Sequence, residues 1–185
     1  MVNARLVGGL LALALTVTAS LNPRPALAAS AAEINRDANA VLALLYDKHP
    51  EAKKLAARAK AILVFPSIYK AGFMFGAQYG EGVLRRGNKS VGYYNTVAAS
   101  YGWQAGAQAF GYALFFMNDS ALAYLDKSGG FEVGVGPSIV VLDEGMGKSM
   151  TSSTVTQDIY ALIFDQKGLM AGAGLQGSKI SKIEK

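Results

Sequence analysis

Apolar positions recur with two different periods along this chain, and the change falls near residue 60. Ile34, Ala38, Val41, Leu42 and Leu45 follow one another at helical spacing, which predicts an amphipathic helix with a narrow apolar stripe. Ser30-Ala31-Ala32-Glu33 ahead of it is a capping box, in which the serine oxygen takes a free amide of the first turn and the glutamate reaches back. Asp47-Lys48-His49-Pro50 ends this helix, because the residue before a proline resists helical geometry. Pro50 suits the first position of a second helix, with Ala52, Leu55, Ala56 and Ala59 as its inner face and Lys53, Lys54, Arg58 and Lys60 on its outer side.

From Ala61 the period becomes two. Ile62 to Phe65 is an apolar run that Pro66 stops, which predicts a short buried strand. Three stretches then share a Gly-x-x-x-Gly-Ala start: GFMFGAQYG (72–80), GWQAGAQAFG (102–111) and GLMAGAGLQG (168–177). In the first, Phe73, Phe75, Ala77 and Tyr79 alternate with Gly72, Met74, Gly76, Gln78 and Gly80. A helix would also align the glycines. However, Lys70, Glu81, Arg85 and Arg86 flank the segment too closely for a membrane span, and each glycine costs a helix about 1 kcal/mol. The strand reading therefore prevails, and its bare face admits a helix or a second sheet at close range.

Further along, Arg86-Gly87-Asn88-Lys89 predicts a turn, with strands over Val91 to Tyr94, Val97 to Trp103 and Ala105 to Met117. Asn118-Asp119-Ser120 caps a short helix through Leu125. Ser128-Gly129-Gly130 leads into strands at Phe131 to Val135 and, past Pro137, at Ile139 to Leu142. Asp143 to Ser153 is a polar loop, Val155 to Phe164 and Leu169 to Gln176 are strands, and the end is a charged tail. The expected fold is α+β: N-terminal amphipathic helices packed on a curled, mainly antiparallel sheet of six or more strands. An outer-membrane barrel needs at least eight strands of about ten residues with a lipid-facing band. This pattern does not supply them.

The first 28 residues stand apart. Arg5 precedes an uncharged apolar run, Leu6 to Ala19, and Ala26-Leu27-Ala28 supplies the small-x-small pattern of a signal peptidase site. The run of about 14 residues is short of the ~20 that span a bilayer. Residues 1–28 are therefore expected to be a cleaved signal peptide, with a mature start near Ala29 and a periplasmic or secreted product. A helical segment follows at 29–60, a β-rich domain at 61–178 and the charged tail at 179–185. The chain has no cysteine, so neither a disulfide nor an acylated N-terminal cysteine is expected. Without Arg5 and Arg24, 16 basic side chains stand against 13 acidic ones. That mild surplus suits an anionic surface without calling for nucleic acid.

Candidate chemistry is sparse. With His49 as the single histidine and no cysteine, neither a zinc site nor a Ser-His-Asp triad assembles. Asp143, Glu144, Asp158 and Asp165 read as solvated loop carboxylates, with a weak cation site in the Asp143 to Ser149 loop as the alternative. Gly147-Lys148-Ser149 resembles the end of a phosphate-binding loop, but the required glycine five residues earlier is Leu142. No enzyme activity and no cofactor are expected. Two basic groups remain: Lys53, Lys54, Arg58 and Lys60 on the second helix, and Lys70, Arg85, Arg86 and Lys89 around the first long hairpin. On one surface they would form a patch for anionic lipid; taken singly, they only keep the domain soluble.

Ala59 to Pro66 running into Lys70-Ala71-Gly72-Phe73 resembles the start of the SYLF domain, a lipid-binding family also found in actin-patch and endosomal proteins. The likeness continues through Gly80-Glu81-Gly82-Val83-Leu84, Gly106-Ala107-Gln108, Phe115-Phe116-Met117-Asn118 and Gly168 to Ser178. It implies a non-enzymatic domain that binds phospholipid. The chain departs from many members in lacking a Trp-Ser-x-Pro stretch, with Tyr93-Tyr94-Asn95-Thr96 in its place. The expected function is peripheral attachment to anionic phospholipid through the basic helical face, with apolar residues of the first helix at the interface. The alternative is an envelope module that binds a protein partner.

Overall fold

A computed structural model describes residues 28–127, 130–133, 135–142, 156–168 and 177–185. Helices α1 (Ala31–Lys48) and α2 (Pro50–Arg58) come first, then strands β1 (Ala61–Arg86) and β2 (Lys89–Phe116), and helix α3 (Asp119–Leu125). Strands β3 (Phe131–Glu132), β4 (Ile139–Leu142), β5 (Ile159–Gly168) and β6 (Lys179–Ile183) complete the order. The capping box forms as the sequence predicts. The Glu33 amide donates to Ser30 Oγ at 3.3 Å and the Ser30 amide donates to Glu33 Oε2 at 2.8 Å. Asn118 caps α3 by accepting from the Ala121 amide at 2.8 Å.

The sheet is curled and mainly antiparallel, with six strands among the described residues. β2 is its spine. β1 pairs with it from Ala61↔Phe116 to Arg86↔Lys89, closed by the two-residue turn Gly87-Asn88, where Gly87 takes a φ of +57°. On the other edge of β2, β6 pairs with Tyr93 to Val97 and β5 with Gln108 to Phe116. β3 adds to β6 antiparallel, and β4 adds to β5 parallel.

Pro66 does not stop the strand. Phe65 pairs with Tyr112 and Ile68 with Phe110, so Pro66 and Ser67 together oppose Gly111. This bulge takes the residue without an amide hydrogen out of the ladder and lets β1 continue. β5 bulges beside it: Phe164 pairs with Gly111 and Lys167 with Ala109, and Asp165 between them has a φ of +52°. Both neighbours of β2 are therefore creased at the same level. The stretches read as three separate strands between Val91 and Met117 are likewise one strand, 89–116.

Two apolar clusters lie on opposite faces of the sheet. Leu63, Phe65, Ile68, Tyr112, Leu114 and Phe116 line the inner face with Leu122 and Leu125 of α3. Val64, Val83, Ala113 and Phe115 meet Ile34, Ala38, Leu42 and Leu45 of α1 and Leu55 of α2 on the outer face. The stripe on α1 is thus used in packing. Phe75, Ala77 and Tyr79 face outward and Gly76, Gln78 and Gly80 are buried, as the alternation predicts. What approaches Gly80 and Gly82 is neither a helix nor a second sheet but the start of β1 itself. A Cβ on Gly82 would lie 2.4 Å from the Val64 carbonyl oxygen, and one on Gly80 would lie 2.9 Å from that of Ser67. The ribbon curls until its two ends cross.

The Gln of each Gly-Ala-Gln repeat, Gln78 and Gln108, is buried on this inner side. Gln78 Nε2 donates to Ser178 Oγ at 3.4 Å. Residues 179–183, read as a charged tail, form β6, with Ile180 wholly buried. The strand expected from Val155 begins at Ile159 and runs to Gly168, and that expected at Phe131 to Val135 ends at Glu132. The signal segment, the loop at 143–153 and the strand expected at 169–176 lie outside the described residues. Among those described, no helix is long and apolar enough to cross a membrane.

Candidate docking surface

The nine residues of α2 divide sharply by face. Ala52 and Leu55 are buried against the sheet, while Lys53, Lys54 and Arg58 are exposed on the opposite side. A turn of about 3.6 residues requires this separation, since 52 and 55 share one face and 54 and 58 another. Lys60 follows the helix. Its backbone amide donates to the Phe116 carbonyl at 2.8 Å, and its ammonium lies 3.9 Å from Asp119 Oδ2, both groups being well exposed. An ion pair so solvated adds little to stability, leaving the charge available to solvent.

The second basic group gathers at the β1–β2 turn. Arg86 and Lys89 are direct cross-strand partners and both are exposed. Like charges placed opposite one another on a ladder weaken it. Arg85 is held down: its guanidinium donates to Asn39 Oδ1 of α1 and to the Asn88 carbonyl, the latter at 3.0 Å. Lys70 joins neither group. It is half-buried and pairs across the ladder with the buried Gln108, on the inner side of the sheet. The structure thus brings Lys53, Lys54 and Arg58 onto one helix face and Arg85, Arg86 and Lys89 onto one turn, with Lys60 beside α3 and Lys70 apart.

Two further features are not assigned by sequence reasoning. Beyond the end of α1, the outer sheet face exposes apolar side chains: Phe75 is 70% exposed, and the cross-strand partners Tyr79 and Val97 are 47% and 46% exposed. Ala77 and Ala99, also partners, are exposed between them. The alternation of aromatics with glycines is the signal that could have found this strip. Next to it opens a groove of 470 Å³, lined by Ala29, Ile34, Asp37, Tyr69, Tyr79 and Glu81 among others.

Glu81 sits at that groove with both carboxylate oxygens occupied. Tyr79 donates its hydroxyl to Oε1 at 2.7 Å, while the Ala29 nitrogen and Lys185 Nζ donate to Oε2 at 3.1 and 2.9 Å. Burial alone would raise the carboxyl pKa, but these bonds and the Lys185 charge together hold it below the usual range. The Tyr79 hydroxyl is pushed up to about 12, by burial and then by the carboxylate it serves. Nothing in the sequence joins positions 29, 81 and 185. His49 is partly buried, with Nδ1 3.3 Å from Glu51 Oε1. Among the described residues no group of three or more acids and histidines could hold a metal ion.

Residues 97–185 match the family Ysc84, described as "Las17-binding protein actin regulator". This is the SYLF family that the motifs resemble. No curated protein matches the chain. The match begins at Val97, opposite Tyr79, and takes in most of β2 and everything after it.

Proposed function

We propose, from the Ysc84 (SYLF) match over residues 97–185, that this chain is an exported, non-enzymatic binding domain that attaches peripherally to anionic phospholipid. The observation that carries the reading is the outer face of α2. Lys53, Lys54 and Arg58 are exposed on a helix whose inner side, Ala52 and Leu55, is buried in the core, so the helix presents three cations to solvent. Each such charge near an anionic membrane contributes about 1 kcal/mol, so the three together give about 3 kcal/mol, and salt screens the attraction. The Arg86–Lys89 pair supports it, because two opposed cations weaken the ladder and concentrate positive potential at the turn. The apolar stripe of α1 is taken up by the core, since Ile34, Leu42 and Leu45 are buried and Val41 packs against the same cluster. Export rests on the leader pattern of residues 1–28.

The test is co-sedimentation of the exported protein with vesicles of neutral or anionic phospholipid across a salt series. Binding to anionic vesicles alone, lost as salt rises, is expected. Equal binding to both, or to neither, overturns the electrostatic mechanism.

One observation favours a second reading, attachment to a protein partner. The strip of Phe75, Ala77, Tyr79, Val97 and Ala99 is a contiguous apolar surface of the kind that marks interaction sites. The Ysc84 description itself names a protein-binding regulator. A Val97→Lys variant that keeps salt-sensitive vesicle binding yet loses a co-purifying partner would support it.

A further inference from the structure

We propose that the peptide bond between Ala28 and Ala29 is the processing site, and that the ammonium released at Ala29 becomes a third charge in a cluster with Glu81 and Lys185. The inference rests on the leader reading above and goes beyond it. Ala28 is exposed and, like Ala29, lies in neither helix nor strand, so no regular element has to open at this bond. Ala26-Leu27-Ala28 gives that peptidase its small side chains. Among the described residues, both apolar clusters are built from residue 29 onward.

The receiving site is already formed. Glu81 has a side chain 9% exposed and Lys185 one 10% exposed. The Ala29 nitrogen is 3.1 Å from Glu81 Oε2, and Lys185 Nζ reaches the same oxygen at 2.9 Å and the Ala29 carbonyl at 2.8 Å. In the uncut chain that nitrogen is a peptide amide, with one hydrogen and no charge. Hydrolysis by a signal peptidase gives the water oxygen to the Ala28 carbonyl carbon and a hydrogen to the Ala29 nitrogen, and the new amine takes up a proton at neutral pH. The amide-to-carboxylate contact with Glu81 then becomes a contact between two opposite formal charges. Because the lock closes only after the leader has gone, the precursor is the less stable form.

The full-length chain, leader included, is expressed in an exporting bacterial host, and the product is identified by intact mass and N-terminal sequencing. A start at Ala29 is expected; a retained leader or another start overturns the processing site. Thermal unfolding then compares this product with a chain that keeps residues 21–28. The processed form should melt higher by about 2–4 °C, and the difference should vanish in the Glu81→Gln background. Equal melting of the two forms, or a difference that survives Glu81→Gln, overturns the lock while leaving leader removal intact. If Glu81→Gln does not fold, acetylation of the Ala29 amine in the processed protein should lower its melting temperature by the same amount; no change would overturn the lock.

Discussion

Gly82 passes against the carbonyl of Val64, eighteen residues earlier on the same strand, with no room for a side chain between them. A methyl group at Gly82 would stand 2.4 Å from that oxygen and 2.7 Å from the Phe65 ring. Neither neighbour can withdraw cheaply, since Val64 and Phe65 are wholly buried. Gly82→Ala is therefore expected to destabilise the domain by about 1–3 kcal/mol, the range for overpacking a closed core. Urea unfolding monitored by circular dichroism measures it; a midpoint equal to the parent's would mean that the ribbon does not close here.

Charge on α2 governs the proposed docking. Replacing Lys53 or Lys54 with Gln should weaken binding to anionic vesicles about fivefold at low salt, the factor that about 1 kcal/mol per charge implies. The thermal midpoint should hardly move, because both side chains are exposed. Vesicle titrations at two salt concentrations check the first point and calorimetry the second.

Tyr112 and Thr96 are both fully buried, and the tyrosine hydroxyl donates to Thr96 Oγ1 at 2.9 Å. Thr96→Val strands that hydroxyl and should cost about 1–3 kcal/mol. Adding Tyr112→Phe removes the stranded group, so the double variant should recover part of the loss. Unfolding free energies of the four proteins form the cycle; strictly additive losses would show that the two groups are not coupled.

Asp158 accepts from the Ser138 amide and hydroxyl at 3.0 Å each and from Asn118 Nδ2 at 2.7 Å. The Ser138 amide first, then the side chains of Asn118 and Ser138, hold its carboxyl below the ordinary value. A folded pKa below the unfolded one means that this stabilisation is complete above about pH 3.9 and is lost as the pH falls through the lower folded value. Glu81 contributes with the same sign. Melting temperature plotted against pH should fall on the acid side, and Asp158→Asn should flatten that limb. An unchanged limb would remove Asp158 from the account.

What the sequence disclosed was local. Ser30 with Glu33, Pro50, the Arg86 to Lys89 turn and Asn118 each act through neighbours a few residues away, and each sits where its chemistry indicates. The alternation around Phe75 and Tyr79 likewise separates the two faces of β1. Pro66 misled because its effect depends on β2: a bulge opposite Gly111 takes up the missing donor, and no local pattern reports that partner. Lys179 to Ile183 reads as a tail since only Ile180 of its five residues is buried, and its strand character comes from β2 and β3 on either side. The basic residues of α2 were legible as a face because a helix fixes it. Lys70 was not separable from Arg85 until the register set it opposite Gln108.

The long β1–β2 ribbon also constrains how the chain must find its fold. Because side chains alternate along a strand, a slip of one residue at the Gly87-Asn88 turn would place Phe75 and Tyr79 in the core and turn the inner residues of β1 to water. Three irregularities, at Phe65/Ile68, Phe73/Phe75 and Leu84/Arg85, fix the alignment at separate heights. They act as the teeth of a zipper, so that pairing begun beside the turn reaches Ala61 and Phe116 only if every notch has engaged in order.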